Sequence, residues 1–155
     1  MGLFTGEYEH KLDAKNRVFV PRRLLDQIDD PQERKQFQLV HTDERCLTLF
    51  TDSGFRNWIR TLQHGQRTLA ERRRFNRRAG AKAQPVPLDA QGRITIPQEY
   101  REELGLGDEV LVVGALDWIE IWDPQVWRDQ ELPEADAEFR ESTRSLPADR
   151  TFHPE

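Results

Sequence analysis

One stretch of this chain occurs twice, and that repeat limits the available folds more than any other feature. Leu12 to Ile28 reads LDAKNRVFVPRRLLDQI, and Leu88 to Leu104 reads LDAQGRITIPQEYREEL. Laid over each other without gaps, they pair Leu12 with Leu88, Asp13 with Asp89, Ala14 with Ala90, Arg17 with Arg93 and Pro21 with Pro97. Val18 and Val20 fall on Ile94 and Ile96, the alternation of a half-buried strand. Asn16 falls on Gly92, and these two residue types best tolerate a positive φ, so a tight turn is expected at both places. Each copy therefore predicts strand, turn, strand, and then a helix opened by proline, whose missing N–H has no partner at the first helical position anyway. The likeness continues: Phe37 to Phe55 lies over Glu109 to Trp127 once the first copy is allowed four extra residues between Asp26 and Gln36. Two units of about fifty residues follow, each the size of the smallest domains.

In chain order, Glu7 to Leu12 and Arg17 to Val20 are expected to pair across the first turn. Leu24, Leu25 and Ile28 give the next helix an inward face, ended by Asp29, Asp30 and Pro31. Phe37 to Val40 and Cys46 to Phe50 read as strands around a polar Thr42 to Arg45 connection. A helix capped by Asp52 or Ser53 carries Phe55, Trp58, Ile59 and Leu62 as one stripe. Leu69 to Arg78 predicts another, with Leu69 and Phe75 inward and five arginines outward, and Gly80 to Pro87 reads as a linker. In the second half Tyr100 and Leu104 face inward, Gly105 stops the helix, and Glu109 to Val113 and Trp118 to Trp122 are strands. Asp123 and Pro124 start a short helix with Val126 and Trp127. The resulting division is a first domain over 6–56, a helical segment and linker over 57–84, a second domain over 85–128, and an acidic tail over 129–155. Its low apolar content and its prolines predict a marginal helix and then disorder.

Halves this short need each other or a second subunit to bury enough apolar area, so oligomerisation is expected. The 155 residues carry a net charge of −5, which by itself argues against a nucleic-acid partner. Splitting the chain reverses that. Residues 1–84 hold 17 Lys+Arg against 11 Asp+Glu, a balance of +6, and residues 85–155 hold 6 against 17, a balance of −11. Such asymmetry points to a basic functional face beside an acidic portion, with the densest basic run at Arg72 to Lys82. The N-terminus lacks a signal pattern and no apolar run is long enough for a bilayer, while the single Cys46 fits a reducing cytosol. His10, His41, His64 and His153 are scattered, and neither a glycine-rich phosphate loop nor a G-x-S-x-G elbow is present. No catalysis, metal, cofactor or small-molecule substrate is expected.

The paired LDAKNR and LDAQGR motifs, each followed by an aliphatic strand and a proline, resemble the MraZ family. So do the AGA stretch before the second copy and VVGALDWIEIWDPQVW after it. The likeness covers roughly Gly6 to Trp127. It implies a mainly β protein with short helices (α+β), built as two tandem pseudo-symmetric swapped-hairpin AbrB-like β-barrel domains. It further implies a bacterial transcriptional regulator that binds short direct repeats in double-stranded DNA upstream of a cell-wall and cell-division gene cluster. A ring-like homo-oligomer, cytoplasmic and associated with the nucleoid, belongs to the same expectation. The family's functional Asp and Arg fall on Asp13 and Arg17 and on Asp89 and Arg93. Asn16 stands where the family usually has glycine.

The motif also has a physical reading. A carboxylate paired with an arginine fixes the direction of the guanidinium while leaving its charge at the surface. An aimed guanidinium is the commonest specific reader of guanine, through O6 and N7 in the major groove. The alternative is that each pair only braces its own turn, since most surface ion pairs are worth little. Lys11, Lys15, Arg22 and Arg23, together with His10, flank the first motif as phosphate contacts or as a solvated face. The Arg72 to Arg78 cluster could track a DNA backbone or pair with an acidic tail. Trp58, Trp118, Trp122 and Trp127 read as core or subunit interface. From another class, the chain could be an antitoxin-like module that neutralises a partner protein, although its tail offers few apolar anchors. A phosphate-ester hydrolase using Asp13 or Asp89 is a third reading.

Overall fold

The alternating apolar residues become short strands, and their partners come from opposite halves of the chain. These are β1 (Glu7–Lys11), β2 (Arg17–Phe19), β3 (Gln36–His41), β4 (Cys46–Phe50), β5 (Gln84–Pro87), β6 (Arg93–Thr95), β7 (Glu109–Gly114) and β8 (Ile119–Trp122). The helices are α1 (Arg22–Leu25), α2 (Asp52–Gln63), α3 (Leu69–Lys82) and α4 (Gln98–Leu104), followed by α5 (Pro124–Val126) and α6 (Leu132–Arg144). The computed structural model describes residues 2–42, 45–65 and 67–144. They group into one unit through Asp123 and another from Pro124 onward. The architecture is mainly β sheet with short helices, an α+β arrangement.

In the first unit, one six-stranded sheet runs in the order β1-β7-β8-β4-β3-β5, and β2 and β6 form a separate two-stranded ribbon. The hairpins β3–β4 and β7–β8 are local, and β4 joins them through β8. At the edges the halves exchange strands: β1 lies on β7, and β5 lies on β3. Phe37, Leu39, Leu47 and Leu49 from the first half and Val110, Val112, Ile119 and Ile121 from the second share one core with Val18 and Ile94. Burying each of those two ribbon residues contributes about 1.5–3 kcal/mol, which fastens the ribbon to the sheet.

Several expectations are corrected by this topology. The expected closed barrels are absent among the described residues, because the edge strands β1 and β5 have open sides. Instead of pairing with β2 across its turn, β1 meets β7, whose Val110 and Val112 are buried. Thr51, rather than Asp52 or Ser53, caps α2 by accepting the Gly54 N–H at 3.0 Å. The span 80–87 is no linker: Gly80 to Lys82 complete α3, and β5 follows. Its two prolines are tolerated because an edge strand can lack donors on one side, and buried Val86 holds it in place. Leu69 does not face inward. It opens α3 at 57% exposure, where the reciprocal Thr68–Glu71 capping box, not apolar contact, sets the start of the helix. Phe75 instead packs on Trp58, whose ring joins Phe50, Phe55 and, through Phe50, Trp118 in an aromatic cluster. The core tryptophan is Trp122, and Cys46 is buried in β4.

The second unit is helical from Pro124 to Arg144, with a π-type turn over Trp127–Glu131 between α5 and α6. α6 occupies the part of the acidic tail where a marginal helix is expected, and Phe139 stands 70% exposed on it. Residues 145–155, in which the disordered end expected of the acidic tail would fall, and residues 43 and 44 of the β3–β4 connection lie outside the described residues.

Candidate nucleic-acid interface

The two motif turns are built from the same hydrogen bonds, bond for bond. In the first, the Asp13 N–H donates to Arg17 O at 3.0 Å, and the Asn16 N–H donates to Asp13 O at 3.0 Å. In the second, the Asp89 N–H donates to Arg93 O at 2.8 Å, and the Gly92 N–H donates to Asp89 O at 3.0 Å. Asn16 has φ 61° and Gly92 has φ 86°, the left-handed region both turns require. Each aspartate then fills the turn. Oδ1 of Asp13 accepts from the Lys15 and Arg17 N–H groups at 2.9 and 2.8 Å, and Oδ1 of Asp89 accepts from Gln91 and Arg93 at 3.0 and 2.8 Å.

The second carboxylate oxygen takes the arginine side chain. Arg17 Nε lies 2.6 Å from Asp13 Oδ2, and Arg93 Nε lies 2.8 Å from Asp89 Oδ2. Donated hydrogen bonds favour the ionised carboxyl, so both acids are held below the ordinary carboxylate range. For Asp13 the Arg17 backbone N–H is the largest cause, outweighing partial burial, with the Arg17 side chain and the Lys15 N–H adding to it. For Asp89 the Arg93 backbone, the Arg93 side chain and the Gln91 N–H act in the same way. Both carboxyls thus stay ionised at neutral pH, with each guanidinium tied at Nε. The terminal nitrogens of Arg17 carry no hydrogen bond among the described residues.

The ribbon brings the two turns together. Arg17 is opposite Thr95, Val18 opposite Ile94, and Phe19 opposite Arg93. The Val20 N–H reaches Gly92 O at 2.9 Å and the Ile96 N–H reaches Asn16 O at 2.8 Å, so each turn is stitched to the strand that follows the other. Alternation sends Val18 and Ile94 into the core and leaves Arg17, Phe19, Arg93 and Thr95 on the outer face. Arg93 Nη1 comes within 3.9 Å of Asp13 Oδ2, and its guanidinium carbon is 5.8 Å from the centre of the Phe19 ring. Two aimed guanidinium groups therefore share one face of a two-stranded antiparallel ribbon, a shape the major groove admits.

A scan against protein families matches this chain over residues 3–78 and 80–148 to the family described as "MraZ protein, putative antitoxin-like". This chain belongs to the MraZ family. Curated MraZ relatives agree. A protein named transcriptional regulator MraZ from a Nocardioides species is 37% identical over 138 residues, covering 89% of this chain and 92% of that one. Another of the same name, from Cutibacterium acnes, is 31% identical over 125 residues, covering 81% and 84%.

Around this MraZ ribbon the flanking cations divide. Lys15 is exposed in the first turn, and Lys11 is exposed at the end of β1, opposite Glu109. Arg22 and Arg23 are exposed on α1, but α1 belongs spatially to the other turn: Arg22 lines a recess of about 340 Å³ together with Asp89, Gln91 and Gly92. In return α4 serves the first turn. Asn16 Nδ2 donates to Gln98 Oε1 at 2.8 Å, and Arg101 Nη1 donates to Asn16 Oδ1 at 2.6 Å. Arg101 also reaches Asp108 Oδ1 at 2.9 Å and Leu106 O at 3.1 Å, and the Leu12 N–H donates to Asp108 O at 2.7 Å. Sequence reasoning missed two of these residues. Arg101 could have been noticed as the lone base in QEYREEL, and Phe19 as the aromatic residue that the RVFV alternation turns outward. Of the remaining arginines, Arg72, Arg73, Arg74, Arg77 and Arg78 are all exposed on α3. Among the described residues no helix is long and apolar enough to cross a membrane.

Proposed function

We propose that this chain is a sequence-specific DNA-binding transcription regulator whose β2–β6 ribbon enters the major groove, with Arg17 and Arg93 reading guanines. The observation that carries the reading is the pair of arginines tied at Nε to Asp13 and Asp89 on one outward ribbon face. Preformed direction matters because a guanidinium already held in place loses little freedom when it makes a bidentate contact. Lys15, Lys11, Arg22 and Arg23 supply phosphate contacts that set register. The transcriptional-regulator names of the relatives support the same assignment.

Finer features follow from the family likeness. We assign 6–56 and 85–128 to two pseudo-symmetric copies of a swapped-hairpin unit. Their support is the 76-residue offset between matching hydrogen bonds and the exchange of β1 and β5. The DNA target is a set of short direct repeats upstream of a cell-wall and cell-division cluster, bound by a ring-like homo-oligomer closed through heterologous contacts in the cytoplasm, at the nucleoid. Such a ring would engage several repeats at once, multiplying affinity through effective concentration. The test is anisotropy titration of the full-length protein on DNA from upstream of its own gene, beside a version with the repeats scrambled. Equal affinity for the two, or no binding, would overturn the reading. Light scattering at micromolar concentration tests the ring, and a strict monomer would sink it.

A further inference from the structure

The outward face of the ribbon carries an aromatic ring that the guanine-reading arginines do not need. Phe19 is 47% exposed, on a strand whose neighbours Val18 and Val20 are buried. Nothing in the core requires a phenyl group there, and a polar residue would suit an outward position better. Its register fixes what it accompanies: it stands directly opposite Arg93, with 5.8 Å between the guanidinium carbon and the ring centre. Bases stack about 3.4 Å apart along one strand. A ring this far from a guanidinium docked on guanine therefore overlies a base pair one or two steps away. In the major groove the apolar group offered by a base is the C5-methyl of thymine, and phenylalanine is among the side chains that contact it.

We infer that Phe19 is a specificity-determining residue that packs on a thymine methyl one or two base pairs from the guanine read by Arg93. This rests on the DNA-binding reading above. The equivalent place beside Arg17 is held by Thr95, with far less apolar area. The two arginines thus read different neighbourhoods: the Arg93 position selects guanine with a phenyl ring beside it, and the Arg17 position has only the single methyl of Thr95 to offer a thymine. Without such a role, Phe19 would serve only as a platform for Arg93, since a cation over a ring is attracted whether or not DNA is present.

The experiment separates these roles. Full-length protein selects sequences from a random duplex library. Each thymine of an enriched site is then replaced singly by deoxyuridine, which lacks only the methyl group, and affinities are measured by anisotropy for the wild type, Phe19→Ala and Phe19→Leu. One methyl removed from an apolar contact is worth a factor of about four in affinity. The wild type should lose about threefold to fivefold at one thymine per read site, and more where several copies bind together. Phe19→Ala should bind thymine and uracil duplexes alike, and Phe19→Leu should keep part of the discrimination. Wild-type affinity that changes less than twofold at every substituted thymine overturns the inference without any variant having to fold. A Phe19→Ala protein that weakens on both duplexes yet keeps the uracil penalty also overturns it, leaving Phe19 as a platform. If selection enriches no sequence at all, the DNA-binding reading falls, and this inference with it.

Discussion

The two turns share a backbone and differ in what surrounds it. Arg17 leaves 32% of its side chain accessible and touches Asp13, whereas Arg93 leaves 18% and is hemmed in by Asp89, the Phe19 ring and the approach of Asp13. The loops reverse that order. Asn16 is clamped from the other half of the chain by Gln98 and Arg101, and Gly92 has open space where a Cβ would be. One turn therefore holds its backbone firmly and leaves its arginine freer, while the other holds its arginine firmly on a bare loop. Duplicated motifs can keep the same aim while drawing rigidity from different sources.

The largest effect that tests this contrast is removal of the arginines. Arg17→Ala and Arg93→Ala should each weaken specific DNA binding by about 1–3 kcal/mol per lost base contact. In an oligomer avidity multiplies the loss, because every subunit carries the change. The contrast adds an ordering in stability: Arg93→Ala takes the neighbour from Phe19 and a nearby cation from both aspartates, so it should melt lower than Arg17→Ala. Gel shifts and circular dichroism on the same preparations decide it. If either variant unfolds, that arginine braces its turn and the reading role fails for that copy.

The aspartates come next, through pH. Both carboxyls are held below their ordinary range in the folded chain, chiefly by the N–H groups of Arg17 and Arg93. A depressed acid contributes stability that is fully present above its unfolded value of about 3.9, and this is lost as pH falls through the folded one. The protein should therefore show little dependence on these two groups near neutrality and a loss of stability below about pH 4. Asp13→Asn and Asp89→Asn should each flatten part of that acid limb, by similar amounts, since the two turns share the same bonds. Urea melts between about pH 5 and pH 2 measure it. A limb altered by only one substitution would break the equivalence of the two turns.

How much of this was legible follows from what each residue depends on. Asn16 and Gly92 were readable because a positive φ is a local demand that few residue types meet. Val18 and Ile94 were readable because alternation reports burial wherever the partner strand comes from. The partner itself was not readable: Glu7 to Lys11 looks equally suited to pair with β2 or β7, and the choice depends on residues about a hundred positions away. Gly80 to Pro87 looked like a linker because prolines punctuate loops, yet an edge strand accepts them as well. Arg101 stands out in the sequence only as the lone base of its helix, and what it binds is not legible there, since its partner Asn16 lies 85 residues away. The exchange of helices between the turns, which puts Arg22 beside Gly92 and Gln98 beside Asn16, is likewise a property of the assembled ribbon.

Substitution at Asn16 probes the firmer loop. Asn16→Ala removes the bonds to Gln98 and Arg101 and keeps a Cβ at positive φ, while Asn16→Gly removes the same bonds and relieves the backbone. Losing a hydrogen bond to a charged group in this part-buried setting should leave Asn16→Gly about 1–2 kcal/mol less stable than the wild type. Asn16→Ala should fall about a further 1 kcal/mol. Urea unfolding of the three proteins provides the measurement. If Asn16→Ala is as stable as the wild type, the clamp contributes nothing and the two loops are alike after all.

The smallest effect concerns the cations around each turn. Neutralised phosphates release counterions, so each phosphate contact adds about one unit to the slope of log affinity against log salt. Lys15 is exposed at the first turn, and its counterpart Gln91 has no charge. Lys15→Ala keeps the backbone N–H that Asp13 accepts, so the turn survives and only the charge is lost. The expected result is binding weakened about equally on all sequences and a slope reduced by about one unit. Gln91→Ala should leave the slope nearly unchanged. Chain order alone would place Arg22 with Lys15 in one basic cluster, but the shared recess puts Arg22 beside the second turn, partly making up for Gln91 there. Arg22→Ala should therefore also lower the slope, and combined with Arg93→Ala it should act on the same read site. Salt titrations of all three single variants on one operator settle the matter. Equal slopes for Lys15→Ala and Gln91→Ala would mean that another source, such as the Arg72 to Arg78 face of α3, supplies the phosphate contacts of both turns.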